Sequence, residues 1–296
     1  MGGRTLRQLE SHWPTAAALR LSVASSDVAG LRAREEVFAR YETVRTSGAN
    51  WPKFLEWRSY WKRNEPDGKA QILRYIHDEI VEPRRKAGPS SRTDPAVALL
   101  FGPPGTTKTT IARGVGNGLD WPVVNLSPAN FLDEGLDAIE RRAREVFADL
   151  RALSRAVVIL DEADELFRKR RPVPETEALR SVTAFMTASM LPRLQDLHDR
   201  GRIVLFICTN FLSSIDGAMR RVGRVDHLIA VPPPDLQQRR AMIEMALSEK
   251  MAIDGGFLPD AISNLARHTS KFVRGELLPA ARDLGAKTVN GGVPQR

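Results

Sequence analysis

A single cysteine and the absence of long apolar runs restrict where this protein can work. Cys208 has no second cysteine with which to form an internal disulfide, which is typical of a reducing compartment. No segment approaches the roughly 20 apolar residues of a transmembrane helix, and the first residues lack the apolar stretch of a signal peptide. We therefore expect a cytoplasmic protein that has no membrane partner.

Aromatic residues make up only 6% of the chain, yet hydrophobic residues, at 42%, and charged residues, at 27%, have the proportions of a globular protein. This composition excludes a fibrous protein and a disordered chain. The formal net charge is +8, which favours an anionic partner such as nucleic acid, because positive potential attracts polyanions. The basic residues are dispersed along the chain, so an arginine-rich surface without such a partner is the competing interpretation.

The alternation of apolar runs with helical patterns predicts an α/β core between two helical parts. Residues 1–71 have helical patterns interrupted by turn residues, and we interpret them as an N-terminal helical segment. Residues 72–233 predict a parallel sheet of five strands with helices on both faces, the strands lying at 96–101, 123–126, 156–160, 203–208 and 228–231. Residues 234–296 are helical throughout, which predicts a small C-terminal helical domain.

Four aromatic side chains share one face of the N-terminal segment. Trp51, Phe54, Trp57 and Trp61 recur at spacings of three and four, which places them on one side of a helix. Such a stripe needs a surface that covers it. Packing against the rest of the chain is the interpretation that the pattern favours, and a docking face for a partner protein is the alternative.

The stretch GPPGTTKTT follows the first predicted core strand and precedes a helical sequence. Such a turn offers a triphosphate its backbone N–H groups and the positive end of a helix dipole. Lys108 is placed to reach the β and γ oxygens, and the Thr109 hydroxyl is placed to bind Mg²⁺. We predict that ATP is bound by nine consecutive residues, Gly102, Pro103, Pro104, Gly105, Thr106, Thr107, Lys108, Thr109 and Thr110.

Thr107 departs from the general pattern of this loop, which has a second glycine directly before the lysine. A side chain at this position restricts φ and crowds the approach of the backbone to phosphate. We therefore expect that this change weakens phosphate binding or makes the loop degenerate. Taken alone, the loop is also compatible with an unrelated turn followed by a surface lysine.

Two adjacent acids, Asp161 and Glu162, follow the apolar run at 157–160. Neighbouring residues on a strand face opposite ways, so we expect the two carboxylates to have different roles. Asp161 is placed to hold Mg²⁺, while Glu162 is placed to orient and deprotonate the water that attacks the γ-phosphate. The alternative interpretation is an acidic residue at the start of a helix.

Asn210 is the second residue after the apolar run at 203–208, at the edge of the sheet where ligands of parallel sheets bind. Its amide can position the attacking water. An asparagine after a strand is also typical of a simple turn, and this interpretation stays open.

Together these motifs resemble the AAA+ ATPase family, and the resemblance covers about residues 72 to 290 in the same order. GPPGTTKTT resembles the family's Walker A motif, VVILDE its Walker B motif, and Thr209-Asn210 its sensor 1 position. The resemblance implies a P-loop NTPase fold with a C-terminal helical lid and with ATP and Mg²⁺ as cofactors. It also implies ATP hydrolysis at sites completed between subunits of a homo-oligomeric ring, which we expect to be a hexamer.

The resemblance extends to arginines that follow the sensor strand. Residues 214–226 resemble the family's second region of homology, which makes Arg221 and Arg224 candidate arginine fingers for the ATP site of the adjacent subunit. Such fingers increase the rate by about 10³ to 10⁵, because they neutralise charge on the γ-phosphate. Arg274 is the candidate sensor 2 residue of the lid, although Arg274-Gly275 stands where many ring-forming relatives have Gly-Ala.

Two loops bear on whether this chain acts like the family members that thread polypeptide through a ring. Those members grip the substrate with an aromatic residue before a glycine, whereas residues 130–137 are acidic at that place and have Phe131 some residues earlier. Residues 168–171 are all basic, so they can face an acidic or nucleic-acid substrate in the pore, or simply solvent.

Three functions follow from these observations. The first is an ATPase that remodels a protein partner. The second is an ATPase that acts on nucleic acid, favoured by the charge of +8 and by the basic residues 168–171. The third is a nucleotide-gated scaffold in which Thr107 slows turnover and assembly itself is the function.

Overall fold

A six-stranded β-sheet is the framework of the chain in the computed structural model. The structure describes residues 25–44, 68–87, 96–132, 138–167, 177–221, 223–251, 259–270 and 276–277. Within these ranges the strands lie side by side in the order β1-β3-β4-β5-β2-β6. Their bounds are β1 (Glu42–Val44), β2 (Ala96–Phe101), β3 (Val123–Leu126), β4 (Val157–Leu160), β5 (Val204–Thr209) and β6 (His227–Ala230).

Five of these strands are parallel, as their apolar runs predict. β2 pairs with β5 and β6, and β4 pairs with β3 and β5, in parallel register. The four inner strands β2 to β5 are buried at every residue except Phe101, because helices cover both faces of the sheet. The predicted α/β fold is therefore confirmed.

The helices divide the core into two apolar layers. Neighbouring strand residues point to opposite layers, so Val158 joins one cluster with Phe147 while Ile159 joins the other with Val115. The helices are α1 (Ser25–Arg40), α2 (Gly68–Ile76), a π-helical turn (His77–Val81), α3 (Glu82–Lys86), α4 (Lys108–Leu119), α5 (Ala129–Leu132), α6 (Ile139–Ala152), α7 (Ala163–Leu166), α8 (Glu177–Arg200), α9 (Leu236–Met251) and α10 (Pro259–His268). None of the described helices has the length and apolar character needed to cross a membrane.

The sheet has one strand more than the sequence predicts. Residues 42–44 form β1, which pairs antiparallel with β3 at one edge of the sheet. The prediction of helix for these three residues, and of only five strands, is therefore wrong. Three residues are too few for an alternating pattern to appear, and the pairing partner decides their conformation.

Residues 25–44 are integrated into the core. Phe38 and Tyr41 are buried in the layer that contains Phe147. The Tyr41 hydroxyl donates to Asp149 Oδ2 over 2.8 Å, and Arg40 Nη1 binds both oxygens of the same carboxylate. Burial and the hydrogen bond to Asp149 raise the pKa of Tyr41. The division of the chain at residues 71 and 233 stays a prediction, but part of the first segment packs as core.

The described residues of the C-terminal part include two helices, in agreement with the predicted helical character. α9 and α10 pack through a small cluster that includes Ile243, Ile262 and Leu277. The buried Arg239 links the two helices by donating to the carbonyl oxygens of Pro234 and Ala266. Of residues 271–296, only 276–277 lie in the described ranges, and they are helical.

Candidate nucleotide-binding site

The phosphate-binding loop runs from the end of β2 to the start of α4, at the carboxyl edge of the sheet. Gly102 begins it with φ of 158°, and a Cβ at this position would lie 2.1 Å from the carbonyl oxygen of Val231. The glycine is therefore required by the close approach of the backbone after β6. The backbone N–H of Val231 donates to the carbonyl oxygen of Phe101 over 2.7 Å, which keeps the start of the loop next to the residue that follows β6.

Thr107 lies in the left-handed region, with φ of 75° and ψ of 24°, directly before α4. This conformation is easy for glycine and strained for a β-branched residue, at a cost of about 1–3 kcal/mol. The loop pattern predicts a restricted backbone here, and Thr107 takes a left-handed conformation that glycine adopts without strain. The loop accordingly keeps its turn, and α4 begins at Lys108.

Lys108 is at the centre of a set of oxygen acceptors. Its Nζ donates to the carbonyl oxygens of Gly102 and Pro103 over 2.8 and 2.9 Å, and to Asn210 Oδ1 over 2.8 Å. Burial lowers the pKa of Lys108, an effect that the charges of Asp161 and Asp164 oppose. The three bound oxygens are uncharged, so phosphate oxygens would be stronger acceptors for this ammonium group.

Thr109 and Asp161 lie close to Lys108 and provide two oxygen atoms that can serve as metal ligands. The Thr109 hydroxyl donates to Asp161 Oδ2 over 2.7 Å, and Asp161 Oδ1 accepts from the backbone N–H of Glu162 over 3.0 Å. A hydroxyl and a carboxylate are hard ligands of the kind that Mg²⁺ prefers when it also binds phosphates. The two residues therefore fit the predicted metal, although the described residues contain no group of three His, Cys, Asp or Glu placed to hold an ion.

Glu162 occupies the position before α7 in a strained conformation. Its φ is 53° and its ψ is 38°, in the left-handed region, and its side chain is exposed. It makes no capping hydrogen bond to α7, so the interpretation as a helix cap gains no support. A non-glycine residue held in this conformation is typical of functional sites.

Asn210 lies beside the phosphate-binding loop because β5 is the neighbour of β2. The Asn210 side chain contacts Lys108. A second contact joins the same two strands, because the backbone N–H of Gly102 donates to the carbonyl oxygen of Thr209 over 3.3 Å. Thr209 is buried, and its hydroxyl donates to Asp164 Oδ1 over 2.9 Å. Asp164 is not among the site residues predicted from the sequence. Its position three residues after Asp161, in the first turn of the next helix, is the signal that could have indicated it.

The two candidate arginine fingers have different surroundings. Arg224 donates from Nη1 to the carbonyl oxygen of Ala218 over 2.7 Å. Arg221 is exposed, and among the described residues no hydrogen bond joins either guanidinium to the loop at 102–110. The structure brings together Lys108, Thr109, Asp161 and Asn210, and it leaves both arginines outside this cluster.

Several predicted features lie partly or wholly outside the described residues. These are Arg274, the basic residues 168–171, the aromatic stripe at 51–61 and the stretch 133–137, which contains three acidic residues. Phe131 is described, and it is buried in the core with its ring centroid 6.5 Å from that of Phe147. Phe131 is therefore a core residue, and its ring does not present an aromatic surface to a substrate.

Comparison with known proteins agrees with this geometry. The family model described as "ATPase family associated with various cellular activities (AAA)" matches residues 98–233. The cell division cycle protein 48 homolog of Archaeoglobus fulgidus is 28% identical over 79% of this chain and 32% of its own length. Protein SAV of Sulfolobus acidocaldarius is 30% identical over 70% of this chain and 25% of its own length.

Two further matches cover a larger share of the matched protein. The proteasome-activating nucleotidase 2 of Halobacterium salinarum is 28% identical over 74% of this chain and 52% of its own length. The chain thus spans between a quarter and about half of these relatives. The crystal structure of the FIGL-1 AAA domain in complex with ADP has the same fold, with a TM-score of 0.61 and 19% identity over 86% of this chain and 80% of that one.

The matched residues 98–233 contain the phosphate-binding loop, the two acids after β4, Asn210 and both candidate arginines. The matched region therefore contains the loop, the acids and the asparagine that the structure brings together at the carboxyl edge of the sheet, as well as the two arginines that lie outside this cluster. Through residues 98–233, the chain belongs to the AAA family of ATPases.

Proposed function

We propose that this chain hydrolyses ATP with Mg²⁺ at sites completed between neighbouring copies of a homo-oligomeric ring, a hexamer, and that it remodels a protein partner in the cytoplasm. One observation carries the proposal. Lys108 donates to Asn210 over 2.8 Å and its chain neighbour Thr109 donates to Asp161 over 2.7 Å, whereas Arg221 is exposed and, among the described residues, makes no hydrogen bond to this cluster. One chain thus offers a nucleotide site and, separately, an arginine for another.

The loop itself supplies binding. The N-terminus of α4 offers backbone N–H groups and a positive dipole to the phosphates of ATP. Lys108 exchanges its carbonyl and amide acceptors for oxygens of the β- and γ-phosphates, and its charge opposes theirs. Because Lys108 is buried, this interaction is poorly screened by solvent.

Thr109 and Asp161 are the residues that would hold Mg²⁺. When bound, the ion neutralises charge that develops on the phosphate oxygens. The hydrogen bond between Thr109 and Asp161 already keeps their oxygens on the same side of the loop. Little rearrangement of the protein is then needed before the site can bind a metal–nucleotide complex.

The hydrolytic step is assigned to the residues that follow β4 and β5. Glu162 accepts a proton from the attacking water, and Asn210 orients that water from the neighbouring strand. Asn210 is released for this role when Lys108 binds phosphate. Arg221 of the adjacent copy stabilises charge on the γ-phosphate, with Arg224 as the second candidate finger.

A protein partner is the favoured substrate because of the relatives. The name of the proteasome-activating nucleotidase 2 indicates action on a protein assembly, and residues 98–233 share its family. The competing substrate is nucleic acid, which the net charge of +8 favours. Hydrolysis rates measured with unfolded protein, DNA and RNA distinguish the two, because the true substrate accelerates turnover. Stimulation by DNA or RNA alone would replace the protein partner by nucleic acid.

The shared site is tested by mixing two inactive variants. Glu162→Gln lacks the base but keeps the finger, and Arg221→Ala lacks the finger but keeps the base. After subunit exchange, some interfaces combine an intact Glu162 with an intact Arg221, so partial hydrolysis returns. Steady-state hydrolysis across mixing ratios measures this, together with the mass of the assembly. Activity that stays at the background of the separate variants contradicts a site shared between copies.

A further inference from the structure

We propose that His198, at the end of α8, is a positioning residue that holds the turn bearing Arg221 and Arg224 in place for the nucleotide site of the adjacent copy. This inference rests on the proposed function, since it assigns the arginines a role in trans. Among the described residues, the hydrogen bonds of the His198 ring go to Asp199 and Asp226 and not to the loop at 102–110, Asp161 or Glu162. The ring thus binds Asp226, the last residue of the segment 216–226 that carries both arginines, which we call the arginine turn.

The His198 ring is held between two carboxylates. Its Nε2 lies 2.9 Å from Asp226 Oδ1, and its Nδ1 lies 2.9 Å from Asp199 Oδ1. Ionised carboxylates only accept hydrogen bonds, so both ring nitrogens must carry a proton to make both contacts. Burial lowers the pKa of His198, but the hydrogen bonds to the two carboxylates outweigh this effect and raise it. The geometry therefore selects the charged imidazolium form.

Asp226 transmits this contact to the sheet. Its backbone N–H donates to the carbonyl oxygen of Val97, and its Oδ2 accepts from the N–H of Val97, both over 2.9 Å. Because Oδ1 of Asp226 binds His198, the Asp226 carboxylate joins the end of α8 to the start of β2. Among the described residues, Asp199 from α8 and Asp226 from the turn are the charged groups that act on the ring, while β2 contributes the backbone of Val97.

The same turn of α8 contacts the middle of the arginine turn. A Cβ at Gly223 would lie 3.3 Å from Gln195 Nε2, so the Gln195 side chain lies against this backbone. Gln195 Nε2 donates to Asp199 Oδ1, the oxygen that His198 also binds. Gln195, His198 and Asp199 thus form one polar cluster beneath the turn.

The opposite end of the turn is also fixed. Asp216 receives a hydrogen bond from the backbone of Ala218, and Arg224 donates to the carbonyl oxygen of Ala218. The backbone N–H of Asp216 donates to the carbonyl oxygen of Phe167. Between these anchors and Asp226, the exposed Arg221 is the residue whose direction depends on how the turn is held. His198 controls one of the two anchors.

The test places the same substitution in each half of the mixed assembly. In the mixture of Glu162→Gln with Arg221→Ala, the first chain supplies the finger and the second supplies the nucleotide site. His198→Ala added to the Glu162→Gln chain should lower the restored hydrolysis by about 3- to 10-fold. His198→Ala added to the Arg221→Ala chain should leave it unchanged, because the active interfaces take both arginines from the other chain.

A second readout separates positioning from general damage. His198→Gln keeps an N–H donor for Asp226 but carries no charge at any pH. With native His198 in the finger-supplying chain, restored hydrolysis should fall as pH rises through the raised pKa of the histidine, because the imidazolium form is lost. With His198→Gln in that chain, this step should be absent. Thermal unfolding of each variant confirms that the chains are folded.

The outcomes distinguish this inference from the proposed function. If the starting mixture restores no hydrolysis, the shared site and the role of His198 fall together. If the mixture is active and His198→Ala reduces activity equally in both chains, or in neither, the shared site stands and the positioning role is wrong. Parallel pH profiles for histidine and glutamine would also overturn it.

Discussion

The Thr109 hydroxyl donates a hydrogen bond to Asp161 Oδ2 over 2.7 Å, which joins the first turn of α4 to the end of β4. The two residues are 52 positions apart in the chain, yet the parallel pairing of the strands brings them to one edge of the sheet. Each is an oxygen donor of the kind that binds Mg²⁺. The relationship leads directly to a test of the metal site.

Asp161→Asn should reduce Mg²⁺-dependent ATP hydrolysis by about 100-fold or more, because the amide removes the negative charge from the metal site at nearly constant volume. The rate measured across Mg²⁺ concentrations should also require more metal for half-maximal activity. Thr109→Ser is the matched control, since it keeps the hydroxyl. An unchanged dependence on Mg²⁺ in the Asp161→Asn variant would remove Asp161 from the metal site.

Lys108→Ala should abolish ATP binding, because the triphosphate loses the main positive charge of the loop. Titration with labelled ATP measures the affinity. Lys86→Ala is the control, since Lys86 is an exposed lysine whose side chain reaches only Glu82 among the described residues. Equal affinity of the Lys108→Ala variant and the native chain would be incompatible with the assigned phosphate-binding loop.

Thr107→Gly should change turnover only modestly, because the backbone of Thr107 already has the left-handed conformation that the loop needs. The glycine relieves strain of about 1–3 kcal/mol. It also adds conformational freedom to the unfolded chain, at a cost of about 1 kcal/mol. Chemical denaturation should therefore show equal or slightly higher stability. A native chain without turnover and an active glycine variant would favour the scaffold function over the enzyme.

The parallel core and the edge where its ligands bind could be predicted from sequence because the signals are local. Unbroken apolar runs mark β2, β4 and β5, and the polar residues that follow them must meet at one edge. Lys108, Asp161 and Asn210 are found there. The left-handed backbone of Thr107 is likewise implied by the glycine that the loop pattern places at that position.

Contacts between distant residues left no such signal. β1 consists of three residues whose pairing with β3 decides their conformation. The link between His198 and Asp226 joins a helix end to a turn across 28 positions, with no spacing rule to predict it. Packing of α1 on the core depends on the surface that α6 presents, which the helical pattern of residues 25–40 does not encode.

The integration of residues 25–44 into the core gives the last prediction. Phe38 is 5% exposed and belongs to the same apolar cluster as Phe147 and Leu205, so Phe38→Ala should destabilise the α/β domain by about 3–5 kcal/mol through lost burial and the cavity left behind. Glu36→Ala, on an exposed position of the same helix, is the matched control. Urea unfolding followed by circular dichroism measures both. If residues 25–44 formed a separate unit, Phe38→Ala would lower the stability of a minor transition only, and the main transition of the sheet would keep its midpoint.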